Sequence, residues 1–208
     1  QMGDFSNHKE FITYGRSIST DNKGNVYEAG QFGGATKFGN TTLNSNGLGK
    51  CFITKADANG NFLWAKDIGL YGMDNTGNQY SITTDINNNV YVIGTFTGTL
   101  DFNPSNEVFN LTQKSMFSDI FIVKLNTNGE FIWAKNFGSA DNSWLREMSI
   151  AVDENQNVYA AGFFDGTGDF DPGNAVFNMA SVGGRDIFVS KLDKNGNFLW
   201  AKKMGGAD

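Results

Sequence analysis

The sequence predicts an all-β chain of three four-stranded antiparallel units, and two recurring phrases predict it. Val-Tyr-x-x-Gly-x-Phe begins at Val26, Val90 and Val158, so successive copies lie 64 and 68 residues apart. Phe-x-Trp-Ala-Lys begins at Phe62, Phe131 and Phe198, with spacings of 69 and 67 residues. The phrases alternate in fixed order. Self-similarity at a fixed period is the signature of one supersecondary unit stacked on copies of itself.

Within a unit, each strand has its own local reason, clearest in the second copy. The first run, Tyr80-Ser81-Ile82-Thr83-Thr84, ends at Asp85, and Asn87-Asn88-Asn89 turns the chain. Asn and Asp bond to their own backbone in turns and tolerate left-handed conformations. Units one and three turn at Asp21-Asn22-Lys23-Gly24-Asn25 and Asp153-Glu154-Asn155-Gln156-Asn157. The second run, from Val90 to Phe96, is apolar on both faces, as a strand covered on both sides must be. The third run spans residues 119–125 and the fourth 130–136. Asn128-Gly129 lies between them, matched by Asn59-Gly60 and Asn195-Gly196; Asn-Gly between apolar runs signals a hairpin. No segment sustains a helical period.

Four-stranded sheets repeated at this length and buried on both faces are expected to be β-propeller blades, with boundaries near residues 14–66, 78–135 and 146–202. The aromatics support stacking. Tyr27, Tyr91 and Tyr159 align, as do Phe32, Phe96 and Phe164; Phe38, Phe102 and Phe170; Phe52, Phe121 and Phe188; Phe62, Phe131 and Phe198; and Trp64, Trp133 and Trp200. Residues that recur in every unit are expected to pack blade against blade. A ligand platform would occupy one place.

In order, the phrases Ser-Ile, Asn-Val-Tyr, Asp-Phe-Asp-Pro-Gly, Asp-Ile-Phe and Phe-x-Trp-Ala-Lys, best seen at Ser149, Asn157, Asp169, Asp186 and Phe198, resemble the SBBP-type β-propeller repeat. The resemblance covers nearly the whole chain. It implies a secreted or cell-surface protein, of a kind common in Bacteroidota and often exported by the type IX system through a separate C-terminal signal. Unit one departs from the pattern: Lys37-Phe38-Gly39 stands in place of Asp-Phe-Asp.

The 208 residues carry a net charge of −6 with 18% charged side chains. That balance argues against a nucleic-acid partner, which needs basic patches to neutralise phosphates. No apolar run of membrane-spanning length occurs. Lys55, Lys124 and Lys191 recur at one position and Lys66, Lys135 and Lys202 at another, one per strand; they are expected to be solvated, with their stems along the sheet. Cys51, the single cysteine, aligns with Ile120 and Ile187 and is expected to fill the core. The chain runs from one inter-unit connection to the next, in phase with the repeat. Closed propellers use about four to eight blades. The expected partners are therefore further blades of the same protein or a second copy, together with a surface protein or glycan.

Candidate chemistry is sparse. His8, the single histidine, has no evident catalytic partner, and no P-loop, dinucleotide fingerprint or nucleophile elbow occurs. The metal candidate is the loop 165–174, where Asp165, Asp169, Asp171 and Asn174 alternate with glycines. Such oxygens suit Ca²⁺; the same residues are also ordinary turn chemistry. Trp144 stands outside the repeating tryptophans, beside Leu145 and Arg146. These three are either a plug between blades or a contact surface of the kind rich in Trp and Arg. The expected function is non-enzymatic binding or scaffolding. The alternative is the propeller domain of a carbohydrate-binding protein or carbohydrate-active enzyme.

Overall fold

The computed structural model describes residues 13–45, 49–68, 80–115, 118–138 and 145–207. Every regular element among them is a strand, and none of their segments is a helix long and apolar enough to cross a membrane. The first blade comprises β1 (Tyr14–Thr20), β2 (Val26–Phe32), β3 (Ala35–Phe38), β4 (Thr41–Asn44), β5 (Lys50–Ala56) and β6 (Phe62–Ile68). The second comprises β7 (Ser81–Thr84), β8 (Val90–Phe96), β9 (Thr99–Asp101), β10 (Asn110–Thr112), β11 (Asp119–Leu125) and β12 (Phe131–Phe137). The third comprises β13 (Leu145–Val152), β14 (Val158–Phe164), β15 (Thr167–Asp169), β16 (Asn178–Ala180), β17 (Asp186–Leu192) and β18 (Phe198–Met204).

Four strands of each blade form an antiparallel meander, in the orders β1-β2-β5-β6, β7-β8-β11-β12 and β13-β14-β17-β18. The remaining two form a separate small hairpin between the second and third meander strands. Sequence reasoning passes over these hairpins because their strands are only three or four residues long. Their closure is nevertheless repeated. The N–H of Gly34, Gly98 and Gly166 donates to Ser45 Oγ, Gln113 Oε1 and Ser181 Oγ at 2.7, 2.7 and 3.0 Å. The same three glycine carbonyls accept from the backbone N–H of Ser45, Gln113 and Ser181.

The Asn-Gly turn is not the two-residue hairpin that dipeptide most often makes. Gly60, Gly129 and Gly196 have φ of +84°, +76° and +79°, while the preceding Asn keeps negative φ. The register slips by one residue at Lys55/Ala56, Lys124/Leu125 and Lys191/Leu192. This is a longer loop closed by a glycine bulge. An Asx turn primes it: Asp57 Oδ1 accepts from the N–H of Asn59 and Asn61, each at 2.9 Å.

The core lies between the sheets. One buried cluster joins Tyr27, Ala29, Cys51 and Ile53 of the first blade to Ile82, Val92 and Val123 of the second. Another joins Tyr91, Ile93, Ile120 and Ile122, on the opposite face of the second blade, to Ile150, Ala160 and Leu192 of the third. Alternate residues of one strand thus serve different neighbours, as a two-residue side-chain period requires. Every residue of β11 is buried. In β17 burial alternates, because among the described residues no sheet lies against one face of the third blade. Cys51 takes the core position expected of it. Inside each blade three phenylalanines meet: Phe102 lies 5.2 Å from Phe96 and 5.0 Å from Phe121, ring centre to ring centre, and Phe170 lies 5.1 and 5.0 Å from Phe164 and Phe188.

Candidate interaction surface

Each blade builds one polar network at its first turn. In the second, Asp85 Oδ1 accepts the N–H of Asn87 and Asn89, and Oδ2 accepts Asn89 Nδ2 and the Tyr91 hydroxyl at 2.8 and 2.9 Å. Lys124 Nζ sits 4.9 Å above the Tyr91 ring and 4.0 Å from Asp85 Oδ2. The first and third blades repeat this arrangement. Tyr27 and Tyr159 donate to Asp21 and Asp153, each at 3.0 Å, while Lys55 and Lys191 cover their rings. The constant Asp and Asn of these turns are therefore structural.

Two of the recurring lysines, Lys55 and Lys124, do not behave as solvated strand lysines; Lys202 is exposed, as expected. Lys55 is 8% exposed and Lys124 5%, and each reaches into the next blade. Lys55 Nζ donates to Thr127 O and Oγ1 at 3.2 and 2.9 Å; Lys124 Nζ donates to Lys194 O at 3.3 Å. The tryptophans converge on the same carbonyls. Trp64 Nε1 donates to Thr127 O at 3.1 Å and Trp133 Nε1 to Lys194 O at 3.2 Å. The glycine of that turn lies against the same tryptophan: a Cβ on Gly129 would stand 3.2 Å from Trp64, and one on Gly196 would stand 3.4 Å from Trp133. A Lys-Trp clamp from one blade thus grips the bulged turn of the next. Nearer the first strands, Ile82 N–H donates to Ser17 Oγ and Ile150 N–H to Ser81 Oγ, at 3.2 and 3.4 Å.

Titration follows this geometry. Burial pushes the Tyr27 hydroxyl up to about 12, with Asp21 adding to the effect, and pushes Tyr91 up as well. Burial lowers Lys55 and Lys124. Lys191, on the open face, is instead raised by its contact with Tyr159. Burial opposes ionisation of Asp21 and Asp193, but their turn hydrogen bonds outweigh it and hold both below the ordinary carboxylate value. In Asp57 and Asp153 the amides of Asn61 and Asn157 are the leading cause of the same shift. A carboxylate depressed in the folded state contributes stability that is full above its unfolded value, near about 4. That stability is lost as pH falls through the lower folded values. Glu28, raised by burial, has the opposite sign. Among the described residues four depressed carboxylates against one raised predict a melting temperature that falls as pH drops below about 4. A melting temperature unchanged down to pH 2.5 would contradict the network.

Three turns meet at one end of the stack. Thr20, Asp21 and Asn22, then Thr84, Asp85, Ile86 and Asn88, then Val152, Asp153 and Glu154 enclose a cleft of about 270 Å³. The aspartates are held inward by their own turns. The residue after each aspartate is exposed and differs from blade to blade: Asn22, Ile86 and Glu154.

Two carboxylates of the metal candidate, Asp169 and Asp171, carry turn hydrogen bonds. Asp169 Oδ1 accepts the N–H of Asp171 and Phe177 at 3.0 and 2.8 Å, and Asp171 Oδ1 accepts Gly173 N–H at 2.7 Å. Asp101 and Asn103 make the same bonds in the second blade. Among the described residues no three His, Cys, Asp or Glu side chains gather as a metal-binding group. Asp169→Asn, which keeps the accepting oxygen, is expected to retain the melting temperature; Asp169→Ala should lower it. A rise in wild-type melting temperature on adding Ca²⁺, lost in Asp169→Asn, would assign the loop to the ion instead.

Trp144 and His8 lie outside the described residues. Leu145 and Arg146 open β13, their backbones paired with Phe164 and Phe163. Sequence reasoning missed the clamp, although its two donors, the recurring Lys and Trp, were in plain view.

No protein-family model matches the chain. It is similar to an uncharacterized WD repeat-containing protein of Acanthamoeba polyphaga mimivirus, with 34% identity over 116 residues covering 49% of this chain. The chain spans 8% of that protein's length. With three four-stranded antiparallel sheets packed face against face, this similarity assigns the architecture: the sheets are β-propeller blades.

Proposed function

We propose that the chain is a non-enzymatic binding or scaffolding module, secreted or displayed at a cell surface, which presents the three-turn cleft to a polypeptide partner. The observation that carries this reading is the contrast within the cleft. Asp21, Asp85 and Asp153 are identical and committed to turns, whereas the exposed neighbours are an amide, an aliphatic and an acid. In a repeat protein, residues that every unit keeps serve the fold, and exposed loop positions that vary among units at a shared cleft are free to serve recognition. The lining is acidic, with exposed Ile86 in its midst, which suits a segment carrying a basic and an apolar side chain. The buried thiol of Cys51, raised by burial, is unfit as a nucleophile, in keeping with a non-enzymatic role. The resemblance to SBBP-type repeats supports the location.

The test replaces Ile86 and Glu154 with arginine. Both side chains are exposed, so the melting temperature should hold, the change in stability staying within about 0.5 kcal/mol. Surface proteins retained by the wild-type chain in a crosslinked pull-down should be lost. Retention of the same proteins by the double variant would remove the cleft from the account, and selective retention of glycans would favour a carbohydrate-binding propeller.

A further inference from the structure

A groove runs between the first two blades at their fourth meander strands, apart from the three-turn cleft. It encloses about 220 Å³, with Lys66 of β6 on one wall. The other wall is Asn103, Ser105 and Glu107 from the β9–β10 loop, with Glu130 and Phe131 where β12 begins. Each charge is placed by a local cause. A Cβ on Gly129 would stand 3.3 Å from both Cγ and Cε of Lys66, so the lysine stem lies flat on that glycine. Asn103 Oδ1 accepts the N–H of Ser105 at 3.0 Å, and Ser105 Oγ accepts that of Glu107 at 3.1 Å. Glu130 arises from an inversion. In the first and third blades the bulged turn pairs an internal carboxylate with an amide, Asp57 with Asn61 and Asp193 with Asn197. In the second, Asn126 Nδ2 donates to Glu130 Oε2. The bond is kept, but the charge moves to the residue that lines the groove. Among the described residues neither Lys66 nor Glu107 has an ion-pair partner. The fold does not demand these acids. Between the second and third blades Lys135 lies on Gly196 in the same way, at 3.1 and 3.2 Å, yet Ala175 and Asn197 stand where Glu107 and Glu130 do.

We infer that this groove binds a basic amino acid, arginine or lysine, either free or as the C-terminal residue of a peptide. Lys66 receives the carboxylate, and Glu107 and Glu130 receive the side-chain cation. Phe109 stacks on Phe131 with ring centres 4.8 Å apart and is itself 37% exposed. That pair gives the aliphatic stem an apolar wall and gives a guanidinium an aromatic face. The volume lies below the range of about 300–1,000 Å³ typical of pockets for drug-sized ligands, so it suits a single residue. Opposite charges on the two walls also select against a ligand of one sign, which would meet like charge on one side.

The experiment follows the Gly129 amide resonance of the 208-residue chain during titration with L-arginine, Nα-acetyl-arginine, argininamide and glucose. L-arginine is expected to shift it saturably. Argininamide, which lacks the carboxylate, should bind about tenfold more weakly, the loss of one charge-assisted contact. Nα-acetyl-arginine separates the two sources. Binding equal to that of L-arginine assigns the groove to a peptide C-terminus, and weaker binding assigns it to the free amino acid. Lys66→Met keeps the stem on Gly129 and removes the charge. It should weaken L-arginine about tenfold and leave argininamide unchanged, a split that a folding defect would not produce. Glu130→Gln keeps an oxygen for Asn126; combined with Glu107→Gln it should weaken both ligands. No shift with L-arginine at about 20 mM, beyond even weak millimolar binding, would overturn the proposal. So would an equal loss of both ligands in Lys66→Met, or a shift with glucose as large as that with L-arginine.

Discussion

Phe121→Ala is expected to destabilise the chain by about 3–5 kcal/mol, the range for deleting a large buried aromatic. Phe121 is fully buried. It meets Phe102 at 5.0 Å and Phe96 and Tyr80 at 6.4 Å, within the cluster that joins the first two blades. The backbone has been shaped around its ring: a Cβ on Gly94 would approach it to 2.7 Å. The surrounding aromatics are fixed by one another, so the cavity cannot collapse fully. Phe52 holds the same position in the first blade, but its cluster comprises five residues of that blade alone. Phe52→Ala should therefore cost less. Urea unfolding with an unchanged m-value reads both differences, and a loss below about 1.5 kcal/mol at Phe121 would contradict the packing described.

Asp85→Ala should cost about 3 kcal/mol, because it leaves other buried groups without partners. Its side chain is fully buried. Removing it strands the Tyr91 hydroxyl, two backbone amides and the Asn89 side chain. The nearby Lys124 keeps the Lys194 carbonyl but loses its countercharge. Asp85→Asn keeps an accepting oxygen for the turn and should recover much of the loss. Asp57→Ala removes the same Asx-turn chemistry at the exposed bulged turn of the first blade, without a tyrosine or lysine attached, and should have a smaller effect. Thermal melts of the three variants check that order; equal losses for Asp85→Ala and Asp57→Ala would show the Tyr-Asp-Lys network to be inconsequential.

The parts of the fold that were legible in the sequence were those with a local cause. Val-Tyr-x-x-Gly-x-Phe fixed the second meander strands. Asn-Gly marked the turn between the third and fourth. Phe38, Phe102 and Phe170 announced themselves by recurrence and prove to be centres of the phenylalanine triads. What was not legible depends on partners that carry no side-chain signature. The clamp ends on backbone carbonyls of Thr127 and Lys194, so nothing in the sequence marks the acceptors, and the lysines read as surface residues. The small hairpins were missed because strands as short as Thr99–Asp101 show no period. In unit one, Lys37-Phe38-Gly39 looked like a break in the pattern, yet there the loop is simply shortened to a tight hairpin that still delivers Phe38 to Phe52 at 4.9 Å. The cleft was hidden for a related reason, since its lining comes from three turns about 64 to 68 residues apart.

The central claim is that each blade is held to the next by a tryptophan and a lysine on one turn carbonyl. Hydrogen exchange of the indole Nε1–H protons tests it most directly, with resonances assigned by Trp→Phe replacements. In the folded chain, Trp64 and Trp133 should exchange slowly, because Thr127 O and Lys194 O accept their protons. Trp200, at the open face, should exchange fast. Exchange of Trp64 and Trp133 at the rate of Trp200 would contradict the account.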